Sequence, residues 1–250
     1  MNKTLSVLTP VSPETPLQYF QAAWKSVIQI ELPEPWSLEW IIQIDGPAPE
    51  SLKQAVRKCM QSEKVRVCCQ ENEQGLGAAV SRTAAFVRSR GELIISLDAD
   101  DYFIQGGVEA LVTAAENNSE ARWFAGQARR VINGEEQPRP CPLPRGLIGP
   151  GDVQRSWEYH SHKMPIVATP VMFRAETLWQ FGGWPALARS EDVSLVFAIS
   201  GMYSGVLIED EYYAYRKWPG QNTALAPNKE LKKLVDKHKV RWAKAVQNRQ

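Results

Sequence analysis

The fold is best deduced from one stretch, Gly91-Glu92-Leu93-Ile94-Ile95-Ser96-Leu97-Asp98-Ala99-Asp100-Asp101. Its apolar part is rich in branched residues, which predicts a short buried strand of a parallel sheet. Three carboxylates follow where that strand ends. Because ligand sites of open α/β sheets lie just outside the carboxyl ends of the strands, these acids stand where a binding site is expected.

Asp98 and Asp100 are separated by the small Ala99, so an extended chain points both carboxylates the same way. Two like charges this close repel each other unless they share a cation. Mg²⁺ and Mn²⁺ suit carboxylates and commonly combine one or two of them with substrate phosphates. The spacing therefore predicts a metal–diphosphate site. The alternative is a polar turn that caps the next helix, where Asp is also favoured.

Composition limits the classes of protein that this chain can be. The 250 residues are 44% hydrophobic and 23% charged, which is typical of a globular protein with a sizeable core. The net charge of +1 gives no electrostatic argument for a nucleic-acid partner. No apolar run approaches the ~20 residues of a spanning helix, and the N-terminus lacks the apolar core of a signal peptide. We therefore expect a cytoplasmic location.

Strand-like and helix-like segments alternate along most of the chain, as in α/β proteins. The patterns predict strands at residues 5–10, 38–44, 65–69, 93–97, 123–132, 167–173 and 205–209, and the extended pattern of the last strand continues at 212–215. They predict helices at residues 15–30, 51–61, 78–90, 108–116, 174–181, 190–200 and 229–247. Residues 137–151 are rich in Pro and Gly, which indicates a crossover loop or a boundary between two halves of the domain.

Three further features of the N-terminal half mark a candidate ligand site. Asp45 follows the second strand, where a ribose or base contact and a turn-forming Asp-Gly are both plausible. Gly75 and Gly77 allow either a close approach to a ligand or a tight turn; Val80 breaks the dinucleotide fingerprint Gly-x-Gly-x-x-Gly. Arg82 is placed to reach a diphosphate, or else it is a solvated charge.

The C-terminal half offers candidate acceptor and base residues. Trp184 follows Gly182-Gly183 and is either an exposed platform for a sugar ring or a core residue. Ser190 is a predicted helix cap, and either acid of Glu191-Asp192 suits the helix dipole or a general base.

Other polar features of this half have weaker functional readings. His160 and His162 have metal-compatible spacing, but no third ligand is spaced to match them. The predicted last helix carries an apolar face formed by Leu231, Leu234, Val235, His238 and Trp242. Its other face is basic, which indicates a solvated surface or contact with a membrane or an acidic partner.

Taken in order, these motifs resemble glycosyltransferase family 2 along most of the chain. Residues 6–10 resemble the family's opening strand, which lines the nucleotide base, and Asp45-Gly46 resembles its acidic end of strand two. Residues 72–85 are similar to its "Asn-x-Gly … Ala-Arg-Asn" segment, with Arg82 in the arginine position. Residues 91–101 are similar to its "Gly-Glu-x-hydrophobic … Asp-x-Asp-Asp" segment.

The second half carries the rest of the resemblance. Gly182-Gly183-Trp184 fits the family's acceptor-side Gly-Gly-aromatic motif, and Glu191-Asp192 fits the pair whose second acid is the catalytic base. Tyr215-Arg216 and residues 219–223 fit its flexible C-terminal segment. The family often carries a His just before Pro-Gly; this chain has Trp218 there, which puts a histidine metal ligand in doubt.

The resemblance implies a single-domain α/β fold of GT-A type, with a Rossmann-like, mostly parallel central sheet flanked by helices. It implies a nucleotide-sugar-binding half at residues 1–135, an acceptor-binding and catalytic-base half at 136–225 and a C-terminal helix at 226–250. It also implies an inverting hexosyltransferase that uses a nucleotide-sugar donor, with UDP favoured, and Mn²⁺ or Mg²⁺. The acceptor would be a small molecule or a saccharide, and no oligomeric state is implied.

The residue roles follow from the same resemblance. Asp100 would hold the metal, Asp192 would be the general base, and Glu191 would assist it and contact the acceptor. Acceptor contacts would also come from Gly183 and Trp184. The donor contacts implied are Thr9, Pro10, Asp45, Gly75, Arg82, Asp98, Ala99, Asp100 and Arg216. A nucleotidyltransferase of similar fold and a non-catalytic binding protein are the alternatives.

Overall fold

A computed structural model describes residues 3–187, 189–221, 237, 240–245 and 247–248 of the chain. Within these residues a central sheet is flanked by helices. Its strands are Lys3–Val11 (β1), Trp36–Ile44 (β2), Arg66–Glu71 (β3), Leu93–Ser96 (β4), Tyr102–Phe103 (β5), Trp123–Ile132 (β6), Glu135–Arg139 (β7), Gly146–Ile148 (β8), Met172–Arg174 (β9) and Gly205–Lys217 (β10). The helices are Leu17–Ile28 (α1), Glu50–Cys59 (α2), Ala78–Arg88 (α3), Gly107–Asn117 (α4), Asp152–Tyr159 (α5), Ala175–Phe181 (α6) and Glu191–Met202 (α7).

The strands lie in the order β3-β2-β1-β4-β9-β6-β10-β5, with β7 beside β6 and β8 beside β10. β1 pairs in parallel with both β2 and β4, and β2 pairs in parallel with β3. β9 is antiparallel to β4 and to β6, whereas β6 and β10 are parallel to each other. The α/β fold with a central sheet flanked by helices is thus confirmed, and the sheet is parallel as far as β4 and mixed beyond it.

Alternate residues of the central strands enter two apolar clusters on opposite faces of the sheet. In β4, Leu93 and Ile95 belong to the first core cluster, whose helical members include Phe20 of α1 and Leu111 of α4. Ile94 belongs to the second core cluster, with members from α3, α6 and α7. Because side chains alternate along a strand, two covered faces require the nearly continuous apolar sequence seen here.

The segment after α5 differs from its predicted strand. Only Met172–Arg174 pairs in the sheet, although residues 167–173 are mostly apolar. Pro170 has no backbone N–H to donate to a ladder, which explains why pairing begins after it. Residues 165–171 therefore form a loop, and this loop reaches the candidate site.

The strands of the C-terminal half correct one further prediction. The Pro- and Gly-rich stretch 137–151 is predicted to be a crossover loop or a boundary between two halves, but it contains part of β7 and all of β8. The predicted strand 205–209 and the extended pattern that continues it at 212–215 form one strand, β10, whose pairing with β6 shifts register between Leu207 and Tyr213. These irregularities bend β10 without ending it.

The predicted last helix lies largely outside the described residues. Residues 240–245 are helical, and Ala243 is buried in the second core cluster, with Trp242 packed against that cluster. In the part of the chain that is described, no helix has the length and apolarity needed to cross a membrane.

Candidate active site

The carboxyl ends of the parallel strands and the start of α7 bring the predicted acids to one edge of the sheet. Asp45 directly follows β2, Asp98 lies two residues beyond β4, and Glu191 and Asp192 open α7. Acids in the first turn of a helix are stabilised by its dipole. The predicted side-chain cap is wrong: Ser190 has a left-handed backbone (φ 59°) and makes no side-chain hydrogen bond to the helix.

Arg82 joins Asp98, at the end of a central strand, to Glu191, at the start of α7. Its side chain is buried, its Nη2 lies 2.5 Å from Asp98 Oδ1, and its Nη1 is bonded to Glu191 Oε1. Its Nε donates to Ser96 Oγ at 3.2 Å. All three nitrogens of the guanidinium thus have protein acceptors, and a contact between Arg82 and a diphosphate stays a prediction.

The titration of this cluster reflects burial and charge. Burial by itself would lower the pKa of Arg82, but the carboxylates of Asp98, Glu191 and Asp192 outweigh it and raise that pKa. Burial raises the pKa of Glu191, the charge of Arg82 opposes the rise, and Asp192 adds to it. The ionised Arg82 is therefore fixed in place as a positive centre among acids.

Thr169 is a site residue that the sequence analysis missed. Its hydroxyl lies 3.0 Å from Asp192 Oδ2 and 3.4 Å from Asp98 Oδ2. The other oxygen of Asp192 accepts the Val193 N–H at 2.7 Å. A Thr within an apolar run carries little functional signal; Pro170 after it was the available sign that the run is not a strand.

Asp45 anchors the loop that precedes α3. Its Oδ1 accepts the Leu76 N–H at 2.8 Å and its Oδ2 accepts the Gly77 N–H at 2.9 Å. Asn72 Nδ2 and the Ser81 hydroxyl also donate to Oδ1, each at 3.1 Å. The carboxylate thus satisfies backbone donors at the start of a helix from a neighbouring strand. Any ribose or base contact by Asp45 would be added to these bonds.

The other predicted donor-side residues differ in accessibility. Gly77 has φ 89°, a left-handed conformation that supports the predicted tight turn, and Gly75 is exposed beside it. Pro10 is buried, and Ala99 is only 4% exposed within the first core cluster. Thr9 is fully buried.

The Thr9 hydroxyl accepts a hydrogen bond from a buried tryptophan. Trp40 Nε1 donates to Thr9 Oγ1 at 2.7 Å, and neither residue is exposed. The Thr9 side chain is therefore part of the core beneath the site and does not line its surface.

The segment after β10 closes over Asp100. Trp218 Nε1 and Gln221 Nε2 both donate to Asp100 Oδ2, at 2.7 and 3.2 Å, and Arg216 Nη1 donates to the Asp100 carbonyl. The Arg216 guanidinium also lies over the ring of Tyr19, 4.3 Å from its centroid. In place of the family's histidine, Trp218 is thus a neutral donor to the carboxylate predicted to hold the metal. Residues 222 and 223 of this motif lie outside the described residues.

Asp101 has a structural environment. Its Oδ2 accepts the Tyr213 hydroxyl at 2.6 Å and its Oδ1 accepts the Arg216 N–H at 2.7 Å. Burial raises the pKa of Asp101 well above the usual range, and the charges of Asp100 and Asp98 raise it further. This acid holds β10 against the turn that presents Asp100.

The donor set fits a divalent cation that arrives with a diphosphate. Burial raises the pKa of Asp100, and the charge of Asp98 raises it further, so a nearby cation would stabilise the ionised pair. Carboxylate oxygens suit Mg²⁺ and Mn²⁺, which commonly keep only one or two protein ligands beside substrate phosphates. Among the described residues, no three or more His, Cys, Asp or Glu side chains are grouped as a metal site made of protein ligands would require.

The positions of the His160 and His162 rings do not support the predicted alternative that these histidines bind a metal. The His162 ring packs edge-on against Trp157, with centroids 4.3 Å apart, and His160 packs against Tyr159 in the same way at 5.0 Å.

Of the two predicted alternatives for Trp184, the core residue is confirmed and the exposed platform is wrong. It is 5% exposed and meets the Phe86 ring edge-on, with centroids 6.4 Å apart. Its backbone N–H donates to the Thr83 hydroxyl at 3.2 Å. Gly183 has φ 81°, and a Cβ there would lie 3.1 Å from Thr83 Oγ1, so a glycine is needed at this turn.

An open apolar groove of about 470 Å³ lies beside this turn, between α3 and the loop that leads to α7. Its lining residues are Gln70, Ala79, Val80, Thr83, Ala84, Val87, Arg88, Trp184 and Ala186.

Comparison with known proteins shows the family of this chain and solved structures of similar fold. The family described as "Glycosyl transferase family 2" matches residues 6–179, which is more than half of the chain. No curated protein matches the chain.

Structures of S. aureus TarS are among the solved structures that resemble this chain. TarS 1–349 has a TM-score of 0.68 at 15% identity, covering 85% of this chain and 60% of that one. Its complex with UDP-GlcNAc has a TM-score of 0.71 at 16% identity, covering 93% of this chain and 65% of that one. Its complex with UDP has a TM-score of 0.68 at 16% identity. The chain therefore spans less than two thirds of these TarS chains, and at such identity the likeness shows the fold.

Proposed function

Because the chain belongs to glycosyl transferase family 2, we propose that it transfers a sugar from a UDP-sugar to an acceptor hydroxyl with inversion at the anomeric carbon. The observation that carries this proposal is the position of Asp192. Its carboxylate is linked through the Thr169 hydroxyl to Asp98, at the end of a central strand. A candidate base thus lies one side chain away from the candidate donor site.

The preference for UDP rests on likeness of fold. TarS, which shares this fold, has been crystallised with UDP and with UDP-GlcNAc. Asp100 would hold Mn²⁺ or Mg²⁺ in this chain, and the ion when bound would neutralise charge on the leaving diphosphate. We place Asp45 and Asp98 toward the ribose and base, and Arg216 toward the phosphates.

Asp192 would act as general base in a single displacement. Its carboxylate takes the proton of the acceptor hydroxyl as the acceptor oxygen bonds to the anomeric carbon. The bond from that carbon to the diphosphate oxygen breaks on the opposite face, and its electron pair leaves with UDP. The configuration inverts because attack and departure occur on opposite faces.

Glu191 and Arg82 would support this step through their ion pair. The bonds from Arg82 to Glu191 and to Asp98 tie the first turn of α7 to the end of β4. This fixes the base relative to the donor-side acid. For the acceptor, a small molecule or a saccharide, we propose the groove beside Gly183 and Trp184.

Asp192→Asn tests this proposal. UDP-GlcNAc and Mn²⁺ are supplied, with water or a saccharide as the acceptor of the sugar, and the rate of UDP release is measured. This rate should fall by about 10²–10⁴-fold, the usual contribution of a general base. Calorimetric affinity for UDP should be unchanged, because the base acts on the acceptor. Asp210→Asn, at an exposed residue of β10, is the matched control and should retain activity.

Two results would overturn the assignment. Equal loss of UDP affinity in Asp192→Asn would make Asp192 a structural or donor-binding residue. Release of pyrophosphate from a nucleoside triphosphate by the wild type, with no turnover of a UDP-sugar, would indicate a nucleotidyltransferase.

A further inference from the structure

We propose that Thr169 is a positioning residue for Asp192, and that its hydroxyl couples the base to the donor-side acid Asp98. This inference rests on the proposed function. Thr169 is 9% exposed and lies in the loop between α5 and β9, whereas Asp98 follows β4 and Asp192 opens α7. One hydroxyl therefore connects three separate parts of the chain.

The hydroxyl of Thr169 has a single proton, so it donates to one carboxylate at a time. Asp192 Oδ2 is the nearer acceptor at 3.0 Å, and Asp98 Oδ2 is 3.4 Å away. In the resting site the hydroxyl thus donates to Asp192. Together with the Val193 N–H on Oδ1, it fixes the carboxylate at both oxygens.

Asp98 is held independently of this contact. Its Oδ1 is paired with Arg82, which leaves Oδ2 facing Thr169. When Asp192 takes up the acceptor proton and becomes neutral, its demand for a donated hydrogen bond falls. The hydroxyl can then turn to Asp98 Oδ2, the second acceptor within its reach. Only the hydrogen bond of Thr169 changes partner, and no covalent bond of Thr169 is made or broken.

The loop supports a fixed hydroxyl. Thr169 stands before Pro170, which restricts the backbone of the preceding residue, and the side chain is β-branched, which restricts χ1. The neighbours Ala168 and Val171 are both buried in the second core cluster, and the Val171 N–H donates to the Ala168 carbonyl at 3.3 Å. The position of the hydroxyl is thus set by the core before substrate binds.

Thr169→Val and Thr169→Ser separate the hydroxyl from the methyl group. Thr169→Val keeps the shape and removes the donor, so kcat for UDP release from UDP-GlcNAc should fall by about 10–100-fold, as expected for a misplaced catalytic group. Thr169→Ser should restore kcat to within about 3-fold of wild type, because the hydrogen bond is kept. The KM for UDP-GlcNAc and the calorimetric Kd for UDP should be unchanged in both variants.

The outcomes separate this inference from the function on which it rests. The positioning role is overturned if kcat is unchanged in Thr169→Val. It is also overturned if Thr169→Ser loses as much kcat as Thr169→Val, because the effect then comes from packing of the methyl group. If the wild type releases no UDP, the proposed function fails, and crystal structures of wild type and Thr169→Val decide the positioning claim. A rotated Asp192 carboxylate in the variant supports the claim, and an unmoved one overturns it.

Discussion

At the scale of single residues, Arg82 determines how the site is held together. It is 3% exposed and pairs with Asp98 and Glu191. Arg82→Ala leaves two acids without their partner in a largely buried site, so we expect the free energy of unfolding to fall by about 3–5 kcal/mol. Urea unfolding with a circular dichroism signal measures this loss.

Arg82→Lys is the matched control because it keeps the charge and loses the planar fork. It should recover part of the stability but not all of it, since one ammonium cannot reproduce three directed bonds. If Arg82→Ala changed the free energy of unfolding by less than about 1 kcal/mol, the range of an exposed ion pair, the central role of Arg82 would be wrong.

Single-residue predictions from the sequence succeeded where local position carries the signal. Asp98, Asp100, Glu191 and Asp192 were placed at a strand end and a helix start, and the structure puts them there. Partners separated widely in the chain could not be deduced in this way. The ion pair of Arg82 with Glu191 was not predicted, because Glu191 is 109 positions away, and such a pairing depends on the packing of α3 against α7.

At the scale of elements, the segment after β10 is expected to compete with a metal for Asp100. The Trp218 indole N–H occupies Asp100 Oδ2, and Gln221 shares that oxygen. Trp218→Phe keeps an aromatic ring beside Tyr19 and removes the donor. A net hydrogen bond of about 0.5–1.5 kcal/mol predicts that UDP binds roughly 2- to 10-fold more tightly to this variant in the presence of Mn²⁺.

Calorimetry with and without Mn²⁺ checks the expectation. Without the metal, Trp218→Phe should bind UDP as the wild type does. Trp179→Phe, at a 55% exposed residue of α6, controls for the loss of an indole. Weaker binding by Trp218→Phe in Mn²⁺ would show that Trp218 contributes to the donor site instead of competing for Asp100.

Glu116 connects α4 to the start of the sheet and gives a pH dependence. Hydrogen bonds from Trp36 Nε1 at 2.8 Å and from Lys3 Nζ at 3.1 Å lower its pKa. A lowered pKa in the folded state stabilises the fold above the usual glutamate range, and this stabilisation is lost as the pH falls through the lowered pKa.

The thermal midpoints of wild type and Glu116→Gln measure this contribution. The wild type should have the higher midpoint at about pH 7, and the difference should shrink as the pH falls through the lowered pKa of Glu116. A difference that stays the same as the pH falls would show that the ionised carboxylate contributes nothing.

Elements were predictable where periodicity is regular. The first two predicted strands correspond to β1 and β2, and the predicted helices 15–30, 51–61 and 78–90 correspond to α1, α2 and α3. The failures have local causes. Pro170 stops pairing in an apolar segment, and the shifts of register in β10 interrupt its pattern without ending it. Trp184 was indistinguishable from an exposed aromatic because its burial depends on Phe86 of α3.

At the scale of the whole molecule, the two core clusters cover the faces of the sheet, and the candidate site lies at one edge of it. The parallel strands β3, β2, β1 and β4 end at that edge, and Thr169 contacts both the acid that follows β4 and an acid at the start of α7. The order of the motifs indicated this general arrangement before the structure did. It did not indicate that the segment after β10 covers Asp100, because that contact joins positions 118 residues apart.

The most direct test of the account is calorimetric binding of UDP, GDP and dTDP, each with and without Mn²⁺, to wild type and Asp100→Ala. Of the three nucleotides, we expect only UDP to bind tightly to the wild type, and only when Mn²⁺ is present. Asp100→Ala should lose this metal-dependent affinity for UDP. Metal-independent binding that survives Asp100→Ala would contradict the assignment of Asp100. Binding of none of the three nucleotides would contradict the proposed donor site.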